Sequence, residues 1–160
     1  MMSVEEAVSG QAEPRPFYVD TPITVRYGET DMMGVVYHAN YLLYFEDARI
    51  GFLDALGFSY NESLEQAGYM SPIHAVDIRY HAPLRYGEGG FVRTSVAKNQ
   101  PLRTVYHQQV FRQGDDPETT QPLVDAHVTV CIVERATFKP VNIKRTFPEL
   151  YGHYATIAEP

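Results

Sequence analysis

Residues 25–49 read VRYGETDMMGVVYHANYLLYFEDAR, and two structural periods meet inside that stretch. The run Ile23, Thr24, Val25, Arg26, Tyr27, entered through Pro22, is β-branched and aromatic and predicts a first strand over 22–27. The loop Gly28-Glu29-Thr30-Asp31-Met32-Met33-Gly34 interrupts it. From Tyr41 the period changes. Tyr41, Phe45, Ala48, Phe52, Leu53 and Leu56 recur at spacings of three and four, which puts one wide apolar stripe on a helix. Asn40 is placed to cap its start, and Gly57 follows its last turn.

Working outward from this unit, a shorter helical piece is expected over 61–66, closed by Gly68. Beyond it the pattern alternates, predicting strands over 72–81, 90–99, 102–112 and 122–134. In the last of these, Val124, Ala126, Val128, Val130 and Ile132 share one face. Asn99-Gln100-Pro101 and Gly114-Asp115-Asp116-Pro117 supply turns. Toward the N-terminus, residues 1–16 are small, acidic and polar, with Pro14 and Pro16 closing them, and are expected as a flexible tail. Residues 17–160 then form one domain. A strand, a long helix and four more strands make an antiparallel sheet with one helix lying across it, in the α+β class.

With 160 residues, 44% apolar and 21% charged, the chain is long enough to bury a core and reads as globular. A formal net charge of -7 and no Lys/Arg block argue against a nucleic-acid partner. The single cysteine, Cys131, permits no intrachain disulfide and no structural zinc, and sits where a strand is expected. With no secretory leader pattern and no apolar run of membrane length, a cytoplasmic protein is expected.

Six histidines invite a metal hypothesis, but no His-Glu-x-x-His occurs, and only a site assembled across strands from residues such as His74, His81, His107 and His127 is conceivable. No metal is expected. Serine elbows and phosphate loops are missing as well. The chemistry-bearing residues that remain are Glu29, Asp31 and His38, clustered just before the long helix. A helix start offers unpaired backbone N–H groups and the positive end of the helix dipole, which suits a developing oxyanion. A carboxylate beside it can attack a carbonyl or deprotonate water. Equally, Asp31 can be read as a turn former that only stabilises the loop.

The stretch 25–49 resembles the 4-hydroxybenzoyl-CoA thioesterase family, and is especially similar to its acyl-CoA thioesterase branch associated with the Tol-Pal cell-envelope system. The matching positions are Asp31, Gly34, Val36, Tyr37, His38, Tyr41, Glu46 and Arg49. Arg85-Tyr86-Gly87-Glu88, ahead of the third strand, fits the same pattern. The resemblance implies a hotdog fold, a sheet of about five strands wrapped around one long helix. It implies hydrolysis of an acyl-CoA thioester, with coenzyme A part of the substrate and no separate cofactor. Asp31 would be the catalytic carboxylate, as nucleophile or as general base. The His38 backbone N–H would polarise the thioester carbonyl, and the His38 side chain would orient water or Asp31. Gly34 would allow the loop to pass close to substrate. Tyr37 and Tyr41 would pack, Tyr41 also bordering the acyl pocket, and Arg85 would contact substrate. Glu46 and Arg49, three apart on the helix, suit an ion pair with each other. The chain departs from the branch at Lys144, where a proline often follows Val141-x-Ile143.

Two other readings stay open: an acyl-CoA-binding hotdog module without turnover, and a dehydratase or hydratase acting on acyl carriers. The CoA nucleotide is expected on surface cations, with Arg79, Arg85, Lys139, Lys144 and Arg145 as candidates. A homodimer, or a homotetramer built from it, is expected through the strand over 72–81, whose edge would otherwise lie bare.

Overall fold

The computed structural model describes residues 17–160, so the expected tail lies outside the described residues. Strand β1 (Val19–Thr24) leads through a 3-10 turn and a loop to helix α1 (Tyr41–Ala55). The short strand β2 (Tyr69–Met70) precedes β3 (Ile73–Tyr80), β4 (Gly89–Gln100), β5 (Arg103–Arg112) and β6 (Val124–Val130). Strand β7 (Val133–Glu134) and helices α2 (Ile143–Thr146) and α3 (Pro148–Ile157) complete the chain. Five strands form one sheet in the order β1-β4-β5-β6-β3, and β2 pairs with β7 separately. Every pairing is antiparallel. One sheet around one long helix is the hotdog arrangement.

Alternation explains the core. Val92 and Val96 of β4, Tyr106 and Val110 of β5, and Val124, Ala126, Val128 and Val130 of β6 all turn inward. Against them α1 buries Tyr41, Tyr44, Phe45, Ala48, Phe52 and Leu53. Phe52 is fully enclosed and meets the rings of Phe17, Tyr106 and Tyr154 at centroid distances of 5.6, 5.9 and 6.1 Å. Truncating such a ring to alanine typically costs about 3–5 kcal/mol. A polar seam runs beneath the helix. Gln108, fully buried, donates to Phe45 O at 3.0 Å and to Thr94 Oγ1 at 3.1 Å.

Several expectations need correction. The first strand ends at Thr24, not Tyr27, because the Arg26 N–H donates to the Glu29 carboxylate rather than to a neighbouring strand. Its true start lies earlier, and Pro22 is tolerated because β1 is an edge. The run over 122–134 divides after Val130. Cys131 therefore lies beyond β6, half-buried, its N–H donating to Pro72 O. The helical piece near 61–66 is a π-type turn over Asn61–Glu65, and Gly68 beyond it has φ +88°. Asn40 does not cap α1 with its side chain; its Nδ2 donates to Glu29 O at 2.9 Å instead. Gly57 behaves as expected, with φ +75° after the last turn. At Lys144, where the branch often has proline, Asn142 Oδ1 accepts the Arg145 N–H and caps α2.

Helix α3 was not anticipated. Pro148 at its first turn, Glu149 after it, and buried Leu150 and Tyr154 four apart are legible signals in hindsight. No helix among the described residues is long and apolar enough to cross a membrane.

Candidate active site

The loop between β1 and α1 is fixed from beneath. Glu29 is buried, and its carboxylate accepts from the Arg26 N–H and Arg26 Nε, both at 2.9 Å, and from Tyr44 Oη at 2.6 Å. Burial opposes its ionisation, but the hydrogen bonds from Tyr44 and Arg26 outweigh that and hold its carboxyl below its usual range. Glu29 is therefore committed to holding the loop.

Asp31 tops the loop. Its N–H donates to Val35 O at 2.9 Å, its carbonyl accepts from the Gly34 N–H at 2.9 Å, and Oδ1 accepts from the Met33 N–H at 2.8 Å. This is the turn-forming role that the sequence left open, and it occupies one carboxylate oxygen. Among the described residues Oδ2 has no partner. Gly34 adopts φ +73°, so the requirement there is conformational, since an added Cβ would meet open space. Asp31 forms the ridge between two hollows. One, of about 270 Å³, is lined by Asp31, Val36, His38, Tyr41, Tyr80 and Pro83 among others. The other, of about 690 Å³, is open and lined by Tyr27, Gly34 and Tyr86 among others.

The chain reaches α1 through a 3-10 turn, His38–Asn40. The Val36, Tyr37 and Asn40 N–H groups are bonded, to Leu84 O, Glu29 O and Tyr37 O. Among the described residues the His38 and Ala39 N–H groups donate to no protein acceptor, and no acidic side chain sits in the first turn of α1 to cancel its positive end. Asp31 and His38, whose backbone N–H is free, thus line the same hollow. That pairing can act on a carbonyl group.

The remaining expected residues fall as follows. The His38 side chain is exposed, with its ring 4.5 Å from that of Tyr37, itself exposed rather than packed. Tyr41 is buried, accepts the Leu84 N–H at 3.3 Å and walls the smaller hollow; burial raises its pKa and keeps it a hydroxyl. Arg85 bridges Val35 through its backbone and is exposed beside the loop. Arg79 pairs with Asp77 at 2.8 Å. Lys144 and Arg145 belong to α2, beside the β4–β5 turn through the Ile143 N–H to Pro101 O bond. Glu46 and Arg49 do not pair with each other; Arg49 Nη1 donates to Gln108 Oε1 at 3.0 Å instead.

Tyr80 is a residue that the sequence reading missed. From the end of β3 its hydroxyl donates to His38 O at 3.0 Å, its ring stands 6.2 Å from that of His38, and it lines the Asp31 hollow. Only its place on an edge strand hinted at this. The histidines are dispersed: His81 lies at the hollow, while His107 and His127 stack on the other face of the sheet from α1. Among the described residues no three His, Cys, Asp or Glu side chains are grouped to hold a metal ion.

Comparison with known proteins agrees with this architecture. Residues 25–149 match the thioesterase-like superfamily. The chain is 36% identical over 132 residues to the putative acyl-CoA thioesterase YneP of Bacillus subtilis, covering 82% of this chain and 91% of that protein. It is 30% identical over 132 residues to the acyl-CoA thioesterase YbgC of Haemophilus influenzae, covering 82% and 93%. Among solved structures, a DHNA-CoA thioesterase from Staphylococcus aureus superposes with a TM-score of 0.79 at 35% identity, covering 88% of this chain and 90% of that one. The family match over most of the chain, with relatives sharing nearly its full length, establishes that this protein belongs to the thioesterase-like superfamily.

Proposed function

We propose that this protein hydrolyses an acyl-CoA thioester to the free acid and CoA, with Asp31 as the catalytic carboxylate. The observation that carries this reading is the common hollow lined by Asp31 and by His38, whose backbone N–H is unpaired among the described residues. The thioester oxygen accepts from the His38 N–H, with Ala39 beside it, so that charge developing on that oxygen is met by fixed donors. Asp31 then acts in one of two ways. It attacks the carbonyl carbon, expelling CoA thiolate and leaving a mixed anhydride that water hydrolyses, or it takes a proton from water that attacks directly. Both routes consume one water and release one thiol and one acid. The chemistry requires no metal and no cofactor beyond the CoA of the substrate. Tyr80 and the His38 ring border the reacting group, Gly34 and Tyr37 shape the approach, and exposed Arg85 suits a CoA phosphate.

The active unit in this reading is a homodimer. Among the described residues, strand β3 closes one edge of the sheet and pairs only with β6. Ile73, Val76 and Tyr80 on it are exposed. Pairing two such edges across a two-fold axis removes both bare edges and covers these side chains. A tetramer made of two such dimers is compatible with the same contact. The lone cysteine suits a reducing compartment such as the cytosol.

Incubating purified protein with a panel of acyl-CoA esters and a thiol reagent tests the reading. Release of free thiol with turnover is expected. Tight binding of acyl-CoA with no thiol released would identify a binding module instead.

A further inference from the structure

Helix α1 has an entry that its own side chains leave uncapped. Neither Tyr37, ahead of the 3-10 turn, nor Asn40, ahead of α1, makes a side-chain cap bond there. A three-residue 3-10 turn is a weak support, because its hydrogen bonds are poorly aligned. Helix starts in this state fray unless other contacts hold them. Two bonds to other parts of the chain hold this one. Asn40 Nδ2 donates to Glu29 O at 2.9 Å, which fixes the end of the turn to the Asp31 loop. Tyr80 Oη, from the last residue of β3, donates to His38 O at 3.0 Å, which fixes the start of the turn to the sheet.

The Tyr80 bond acts on the residue that supplies the proposed oxyanion donor. Two rigid peptide planes flank the His38 Cα, one carrying its N–H and the other its C=O. Tyr37 O, in the first plane, accepts the Asn40 N–H at 2.8 Å. That bond is internal to the turn and lasts only while the turn does. Tyr80 holds the second plane from outside, and so links the turn to a strand. Tyr80 is itself held, its ring 5.8 Å from that of Tyr41 and 6.2 Å from that of His38, and all three residues line the Asp31 hollow. Partial burial raises its pKa, so the hydroxyl keeps the proton that it donates.

A donor to a developing oxyanion is worth most when it is already in place, because it then costs no reorganisation in the transition state. A small misplacement in such a site costs rate rather than binding. Resting on the thioesterase reading above, we propose that Tyr80 is a positioning residue for hydrolysis: by bonding the His38 carbonyl it ties the helix entry to the end of β3 and keeps the His38 N–H set on the thioester oxygen. The role is exerted through His38 and needs the hydroxyl, not merely the ring.

Tyr80→Phe in the full chain tests this, since it keeps the ring and removes only the donor. It should lower kcat for acyl-CoA hydrolysis about ten-fold, the effect of one hydrogen bond lost from the transition state, and leave KM within roughly two-fold. Ligands that are not hydrolysed separate positioning from structure. Phenacyl-CoA and 2-oxononyl-CoA carry a ketone oxygen, whereas benzyl-CoA and octyl-CoA lack it. With at least one ketone, isotope-edited infrared spectra should show the carbonyl stretch lowered on binding to the wild type and returned toward its free value in Tyr80→Phe. The matching thioether should bind both proteins with equal Kd. An unchanged kcat in Tyr80→Phe, or a stretch that the wild type leaves at its free value, overturns the proposal. An equal loss of affinity for ketone and thioether also overturns it and makes Tyr80 a structural residue. Should Tyr80→Phe not fold, replacing Tyr80 with a fluorotyrosine, measured well below the pKa of that hydroxyl, serves instead. Its stronger donor should lower the stretch further, and a stretch unchanged or returned toward the free value overturns the proposal. The spectra need no turnover. A stretch that depends on the Tyr80 hydroxyl, without thiol release from acyl-CoA esters, defeats the hydrolytic reading alone, whereas thiol release at equal kcat in both proteins defeats this proposal alone.

Discussion

Tyr44 Oη donates to Glu29 Oε2 at 2.6 Å, tying the floor of the Asp31 loop to the first turns of α1 across 15 residues of chain. The bond joins the two halves of the proposed site, since the proposed catalytic carboxylate comes from the loop and the proposed oxyanion donor from the helix entry.

Glu29→Gln and Tyr44→Phe are therefore each expected to destabilise the fold by about 1.5–3 kcal/mol, the range for hydrogen bonds to charged groups. The Glu29 carboxyl is held below its ordinary value of 4.5. A depressed folded pKa means stabilisation that is present above the unfolded value and lost as pH falls through the folded one. Denaturant melts of wild type and Glu29→Gln should differ most at neutral pH and converge in acid below about 4.5. A gap that stays constant into strong acid would contradict this role for Glu29.

On the face of the sheet away from α1, His107 bonds Asp125 Oδ1 at 2.9 Å through Nε2 and Glu159 Oε1 at 3.0 Å through Nδ1. His127 stacks on its ring at 4.6 Å, and Ser95 Oγ donates to the same Glu159 oxygen at 2.7 Å. The bond to Asp125 outweighs burial and, with Glu159, raises the His107 pKa. A raised folded pKa gives stabilisation that is complete below the unfolded value and lost as pH rises through the folded one. The stability gap between wild type and His107→Gln should therefore be larger near pH 6 than near pH 9, about the ordinary histidine range. Glu159 also anchors the chain end to Val96 O, so amide exchange at Glu159 should quicken over the same rise. A gap that grows with pH would refute the doubly bonded imidazolium.

The sequence made the fold legible wherever periodicity met burial. The α1 stripe from Tyr41 to Leu53 and the inward face from Val124 to Ile132 follow from pattern alone. Edges were misplaced where a side chain captured backbone, as Glu29 does at Arg26, because such a bond has no period. Asp31 and His38 were legible as a cluster before a helix. Tyr80 was not, since its bond to His38 O spans 42 residues and depends on sheet order. Arg49 was assigned to its helical neighbour Glu46 by spacing, whereas its partner Gln108 lies 59 residues away on β5.

The dimer reading predicts that a charge at the middle of the free edge separates the subunits. Val76, exposed on β3, lies near the expected two-fold axis, so Val76→Lys sets two like charges close together. Light scattering should show the wild type at twice the chain mass or more and this variant shifted toward monomer, with thioesterase activity falling in parallel. A monomeric wild type that turns over acyl-CoA at full rate would contradict a site shared between subunits.

The central claim is that Asp31 performs the chemistry beside N–H donors of the helix entry. It is tested most directly by kcat for acyl-CoA hydrolysis in Asp31→Asn, with His38→Ala as its companion. The account predicts a loss of at least about a hundred-fold for Asp31→Asn, with the fold and CoA affinity retained. It predicts a smaller loss for His38→Ala, because the proposed donor there is backbone. A loss of only a few-fold in Asp31→Asn would contradict the assignment.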